Sequence, residues 1–232
     1  MKVRAIAVTQ PLITVDGNEF REGMVSDRLM TPDEFIAYVA RVSNPENQSN
    51  TLTATKLLKY LAKHSHWSPF EMADMCIEIE TTRDIGRQIL RHKSFVFQEF
   101  SQRYADPTKS LGFTTRQARL QDTKNRQNSV ETSDDVLEER WQVMQKGITE
   151  RAVETYEWAI KNGIAKEQAR AILPEGLTLS RLYMKGSVRS WIHYCQLRMG
   201  NGTQKEHREI ATACWAEVIR HFPSLSEVII NE

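Results

Sequence analysis

Cysteine is scarce in this chain. The three present in 232 residues, Cys76, Cys195 and Cys214, are an odd number at wide spacings. They make no disulfide framework and no Cys-x-x-Cys zinc pattern, which fits a reducing cytoplasm. Long apolar runs are also missing, and the longest fall far short of the roughly 20 residues a bilayer-crossing helix needs. Arg4 and Gln10 interrupt the N-terminal segment, so Met1 to Pro11 reads as a first β-strand and not as a signal-peptide core. No sign of charge dominates, since 31 Lys and Arg stand against 30 Asp and Glu for a formal net charge of +1. A protein held on nucleic acid by bulk charge is more basic than that. Neither a membrane nor a nucleic acid is therefore an expected partner. There is no internal repeat, low-complexity tract or Gly/Ser linker, and the length suits one domain with a real core.

The pattern that is present is mostly helical. Thr31-Pro32-Asp33-Glu34 combines a capping threonine, a proline at the first helical position and the glutamate of a capping box. Phe35, Ile36, Val39 and Ala40 then give an apolar face, and Asn44-Pro45 stops the run. A second helix is expected from about Leu52 to His64 with Leu57, Leu58 and Leu61 inward. From Met72 to Thr82 the period changes to two: Met75, Ile77 and Ile79 alternate with Cys76, Glu78 and Glu80, a strand with one wet face. Arg83 to Lys93 returns to helix, with Arg83, Arg87 and Arg91 recurring on one side.

Residues 105–132 are polar and read as a long loop, a candidate mobile lid in which Arg116, Arg119, Lys124 and Arg126 are solvated. The longest helix should run from about Ser133 to Lys161. Its apolar row is Leu137, Trp141, Met144, Ile148, Ala152, Tyr156 and Ile160, and Asn162-Gly163 ends it. A short helix reaches Leu173-Pro174, and Leu177 to Lys185 is extended. Ser187 caps a helix carrying Trp191, Ile192 and Cys195, and a last helix spans about Gln204 to Phe222. The expected fold is a helix-dominated α+β domain with a modest, mostly antiparallel sheet.

Hydrogen-bonding side chains are densest from Gln88 to Tyr104. Gln88 and Arg91 share a helix face, and Glu99, Ser101 and Arg103 alternate along an extended segment. Such groups can hold the phosphate, sugar and base of a nucleotide. From residue types alone, a solvated helix face followed by a polar loop accounts for the same stretch. His64 and His66 lack a third ligand at useful spacing, so no metal site is expected.

Arg91-His92-Lys93, seven further residues, then Ser101 and Arg103-Tyr104 closely resembles the signature of the flavin-dependent thymidylate synthases. Lys93 stands where that family more often has arginine, which keeps the charge and loses the planar fork. Four more segments resemble the family in order. They are Ala40-Arg41-Val42-Ser43, His64 to Glu71 (with His66-Trp67-Ser68-Pro69-Phe70), Ala169-Arg170-Ala171-Ile172-Leu173-Pro174, and Ser187-Val188-Arg189 through His193 to Leu197-Arg198.

The resemblance implies a cytoplasmic homotetramer that methylates dUMP to dTMP. Its cofactor would be FAD, its reductant NADPH, and its carbon donor 5,10-methylenetetrahydrofolate, released as tetrahydrofolate. By position it implies dUMP contacts from Gln88, Ile89, Leu90, Arg91, Glu99, Phe100, Ser101, Gln102, Arg103, Arg170 and Arg198. It implies FAD contacts from Ser43, His66, Ser68, Arg91, His92, Lys93, Glu99, Ser187, Val188, Arg189 and His193. Arg198 would favour the ionised pyrimidine and Ser101 would orient it. No cysteine nucleophile is implied, and all three cysteines sit in contexts typical of small core residues. His193 and Cys195, two apart, lie ~200° apart round a helix and do not face each other. Arg189 and His193 share a face, but Arg198 lies ~140° further round, so one helix cannot aim all three into a single pocket of one subunit. The family's tetramer, with sites at subunit boundaries, resolves this. The polar segment 105–132 would then help admit folate or NADPH.

Overall fold

The structure is a computed structural model that describes residues 1–15 and 28–228. In chain order come β1 (Lys2–Val8), β2 (Thr14–Val15), β3 (Arg28–Leu29), α1 (Pro32–Ala40), α2 (Ala54–Lys63), β4 (Asp74–Thr82), α3 (Arg83–Ile89) and β5 (Val96–Glu99). They are followed by α4 (Pro107–Ser110), β6 (Arg119–Gln121), β7 (Ser129–Glu131), α5 (Asp135–Lys161), α6 (Lys166–Ala169), β8 (Leu179–Ser187), α7 (Val188–Met199) and α8 (Lys205–His221). The class is α+β, with a small antiparallel sheet in the order β1-β4-β8-β5.

Alternation along β4 explains the sheet. Met75, Ile77 and Ile79 are at most 1% exposed and face the main core with Leu182 and Met184 of β8. Trp191, Ile192 and Cys195 of α7, Ile210, Cys214 and Val218 of α8, and Leu58 of α2 close over them. β4 pairs with β8 along its whole length, Asp74 opposite Ser187 and Thr82 opposite Leu179. The other face of β4 is drier than expected, because Arg4 at 2.7 Å and Arg181 at 3.9 Å cover the buried Glu78 carboxylate.

Local signals set several boundaries. The Thr31 hydroxyl accepts from the Glu34 N–H while the Glu34 carboxylate accepts from the Thr31 N–H, the complete capping box. Ser187 ends β8 and caps α7 by accepting from the Ser190 N–H at 3.3 Å. Gly163, at φ +79°, follows the end of α5 in the left-handed conformation that glycine adopts without strain.

Two expectations need correction. Residues 105–132 are not a featureless loop, since they hold α4 and the β6–β7 hairpin, in which Leu120 faces Val130. Arg116 and Arg119 are not solvated either. Arg116 binds Asp84 at 2.7 Å and Arg119 pairs with Glu206, while the Gln145 amide bonds the Arg116 backbone at both N–H and C=O. In α5 only Ala152 and Tyr156 of the apolar row are buried; Leu137, Trp141, Met144, Ile148 and Ile160 are exposed by 37–56%.

Gly186 fixes how closely β8 approaches the segment before β5. A Cβ there would lie 2.5 Å from Phe95 Cδ1, and the Phe95 ring is buried edge-on against Trp191. Gly186→Ala is expected to lower the unfolding free energy by about 1–3 kcal/mol through overpacking. Urea denaturation checks this, and an unchanged midpoint would contradict the packing.

Candidate active site

The helix end that carries Gln88, Arg91 and His92 meets the last turn of α7. Arg198 donates from Nε to His92 Nε2 at 2.9 Å. Burial foremost, then Arg198 and Arg91, pushes the His92 pKa down to about 4, so the ring is neutral and accepts. His92 lies edge-on to Tyr194 at 4.8 Å between centroids, and Tyr194 bonds the fully buried His207. His207 in turn reaches the Gln88 side chain at 3.2 Å.

The opposite end of α7 builds a second group. The Ser187 hydroxyl donates to Glu71 Oε2 at 2.5 Å and Arg189 donates to Glu71 Oε1 at 2.6 Å. The Ser187 bond first, helped by Arg189 against the opposing effect of burial, holds the Glu71 carboxyl below its usual range. His193 stands perpendicular to Trp67 at 4.8 Å. Ser68 opens the short helical turn that ends at Glu71. His66 is exposed just before it.

A third group lies beside β5. Glu99 accepts from Ser180 at 3.0 Å and sits 3.5 Å from Arg83 and 3.4 Å from Arg87. Arg83, Arg87, Gln102, Arg170 and Glu175 are among the residues lining an open cavity of ≈ 370 Å³. Gln102 is 4% exposed, and its Nε2 has no hydrogen-bond partner among the described residues. The three guanidiniums of Arg83, Arg87 and Arg170 around this cavity match an anionic ligand.

The motifs are thus carried on one sheet and its flanking helices, and the comparisons agree over nearly the whole chain. The family model described as thymidylate synthase complementing protein matches residues 25–224. The probable flavin-dependent thymidylate synthase of Paramecium bursaria Chlorella virus 1 is 46% identical over 229 residues, 99% of each chain. The flavin-dependent thymidylate synthase of Synechocystis sp. is 48% identical over 229 residues, again 99% of each. The chain belongs to the flavin-dependent thymidylate synthase family. Members of this family are methyltransferases. In fold it is similar to the UMP/dUMP methylase PolB of Streptomyces cacaoi solved with 5-Br dUMP. That likeness has a TM-score of 0.75 at 22% identity and covers 98% of this chain and 93% of that one.

Within this flavin-dependent thymidylate synthase, the residues singled out by the motifs fall into the three groups unevenly. Gln88, His92 and Arg198 converge, Ser187, Arg189 and His193 converge, and Glu99, Gln102 and Arg170 share the third region. Ser101 accepts from the Arg103 N–H at 3.3 Å, and Arg103 lies 3.9 Å from Glu167. Phe100 donates its N–H to the Arg181 carbonyl, and Leu90 closes the α3 end. Ser43, Ser68, Arg91 and Lys93 are exposed and have no side-chain hydrogen bond among the described residues. The side chains of Ile89 and Val188 are fully buried in the main core, so their backbone is the part open to a ligand.

The motifs did not single out Glu71, Trp67, Arg83 or His207 for any role. Glu71 and Trp67 lie inside the quoted His64–Glu71 segment, so the signal was present, but their partners on α7 are 118 and 126 positions away, respectively. Arg83 and His207 carry no local signal. Cys195 and Cys214 are fully buried, and burial pushes both thiols up; Cys76 is half-buried and raised for the same reason. No group of three or more His, Cys, Asp or Glu that could hold a metal occurs among the described residues. Nor is any described helix long and apolar enough to cross a membrane.

His92 and His207 set a pH dependence. Burial first, then Arg198 and His92, lowers the His207 pKa to about 3. An unfolded histidine takes up its proton near pH ~6.5, whereas these two stay neutral in the folded state until about 4 and about 3. The folded state therefore binds fewer protons, and stability falls as pH drops below ~6.5. The melting temperature is expected to decline from about pH 7 to about pH 4.5 and to decline less in His207→Asn. Equal slopes in the two proteins would contradict the assignment.

Proposed function

We propose that this chain converts dUMP to dTMP, using FAD, NADPH as reductant and 5,10-methylenetetrahydrofolate as carbon donor, with no enzyme cysteine as nucleophile. The observation that carries the reading is Arg198 resting on a neutral His92. Carbon C5 of the pyrimidine attacks a one-carbon unit only when negative charge builds on the ring. A guanidinium beside N3 and O4 favours that charge, and a neutral acceptor behind it leaves the positive charge undiminished. Ser101 orients the ring, and among the described residues its hydroxyl is bonded by the Arg103 N–H and by no general base that would make it a nucleophile. Burial raises all three thiols, and at Cys76 it outweighs the opposing pull of Lys185, which supports chemistry without sulfur addition.

The cavity beside Gln102 suits the nucleotide phosphate, with Arg170 facing it and Glu99 held by Arg83 and Arg87. The donor set also fits FAD: Arg91 and Lys93 are exposed cations without a carboxylate partner among the described residues, and Ser68 and Arg189 lie near aromatic Trp67 and His193. When bound and reduced, FAD supplies the hydride. Arg91 and Lys93 would hold its phosphates, while His92 serves Arg198.

The purified protein is expected to be yellow and to oxidise NADPH faster when dUMP is added. Arg198→Ala should lower dTMP formation by about 10²–10³-fold, whereas single Cys→Ala variants that fold should keep turnover. A colourless protein, a fully active Arg198→Ala or a folded cysteine variant without turnover would each overturn the reading.

A homotetramer with sites at subunit boundaries is part of the proposal. Support comes from the two ends of α7, whose polar groups face different neighbours, and from α5, where Trp141, Met144 and Ile148 form an exposed apolar row beside a groove lined by Ala152 and Ile172. Ile148→Glu is expected to reduce the mass measured by light scattering and to release flavin. A yellow, active monomer would contradict this arrangement.

A further inference from the structure

Gln88 is held from both sides, and the order of its two amide atoms can be worked out. An amide side chain can be turned over with little change in shape, so its orientation comes from its neighbours. The polarity starts at Glu206, a carboxylate that can only accept. It is paired with Arg119 of the β6–β7 hairpin, and although burial raises its pKa, the bonds from Arg119 and Gln204 outweigh that and keep it ionised. Gln204 must therefore turn its NH₂ toward Glu206, where Nε2 donates to Oε2 at 2.9 Å.

That leaves Gln204 Oε1 facing Gln88, and it accepts from Gln88 Nε2 at 2.9 Å. Gln88 Oε1 then faces His207 Nδ1 at 3.2 Å, so Nδ1 carries the hydrogen. His207 Nε2 is bare and accepts from the Tyr194 hydroxyl at 3.1 Å. Burial holds His207 neutral and Tyr194 protonated, as this order requires. Turning Gln88 over would set oxygen against oxygen at Gln204 and N–H against N–H at His207. One amide hydrogen and one lone pair of Gln88 stay free, in a fixed order.

We propose that the chain Arg119–Glu206–Gln204–Gln88–His207–Tyr194 locks the Gln88 amide in one orientation, which makes His207 and Gln204 positioning residues for recognition of the nucleotide. The inference rests on the reading that Gln88 touches dUMP. It also gives the β6–β7 hairpin a part in the site, through Arg119, without any contact to substrate.

The test is calorimetric titration of dUMP into the flavin-loaded protein, with KM and kcat measured alongside. Flavin content and melting temperature report whether each variant is folded. His207→Gln keeps a polar group toward Tyr194 but withdraws the donor from Gln88. Glu206→Gln ends the acceptor-only constraint at the partly buried far end of the chain, where folding is least at risk. Both are expected to raise the dUMP Kd and KM about tenfold with a smaller change in kcat. His207→Asn, whose amide nitrogen takes the place of Nδ1, should restore affinity close to wild type.

Gln88→Leu separates the two levels of the argument. If it leaves the dUMP Kd unchanged, Gln88 is not a substrate contact, and the reading beneath the proposal fails. If it weakens binding while folded His207→Gln and Glu206→Gln bind dUMP like wild type, the positioning chain is overturned and the substrate contact stands. Failure of folded His207→Asn to outperform His207→Gln would also overturn it.

Discussion

Arg198 rests on a ring that cannot neutralise it. Most arginines around the sheet are matched to a carboxylate: Arg4 with Glu78, Arg181 with Glu80, Arg189 with Glu71 and Arg116 with Asp84. Those pairs hold elements together, and their charges largely cancel. Among the described residues Arg198 has only the imidazole of His92, which is kept neutral by burial and by the two cations beside it. One Nε–H is used to fix the direction of the guanidinium, and its full positive charge remains for a ligand. A protonated His92 would repel Arg198 and undo both effects.

The scaffold makes this arrangement reproducible. β8 runs antiparallel to β4 for nine residues and passes directly into α7 through the Ser187 cap. The close approach of Phe95 to Gly186 brings the segment after His92 against the start of α7, where the Ser190 hydroxyl bonds the Ser94 carbonyl at 3.3 Å. Trp191 fixes the helix from inside by donating its indole N–H to the Met75 carbonyl at 3.1 Å. A short polar loop is thus clamped between a strand and a helix, and its histidine keeps one tautomer.

Elements with a complete local code were legible in the sequence. The Thr31–Glu34 box, the Met75–Ile79 alternation and the Ser187 cap each name their structure within a few residues, and the Arg91–Ser101 spacing names the family. The β6–β7 hairpin escaped because its strands are three residues each, mostly exposed and without a two-residue alternation long enough to register. Arg116 and Arg119 looked solvated because their partners, Asp84 and Glu206, are 32 and 87 positions away. The apolar row of α5 was read correctly as a row, but periodicity does not say what covers it. Ile89 and Val188 lie inside binding motifs, yet their side chains serve the core, since a motif marks a segment and not the direction of each side chain.

The state of the His92 ring tests the central claim most directly. Nitrogen NMR on protein carrying isotope-labelled histidine, with the His92 signals identified from a His92→Gln variant, reports which ring nitrogen bears hydrogen. The account requires a neutral ring near neutral pH, with hydrogen on Nδ1 and a bare, accepting Nε2 toward Arg198. An imidazolium, or hydrogen on Nε2, would contradict it.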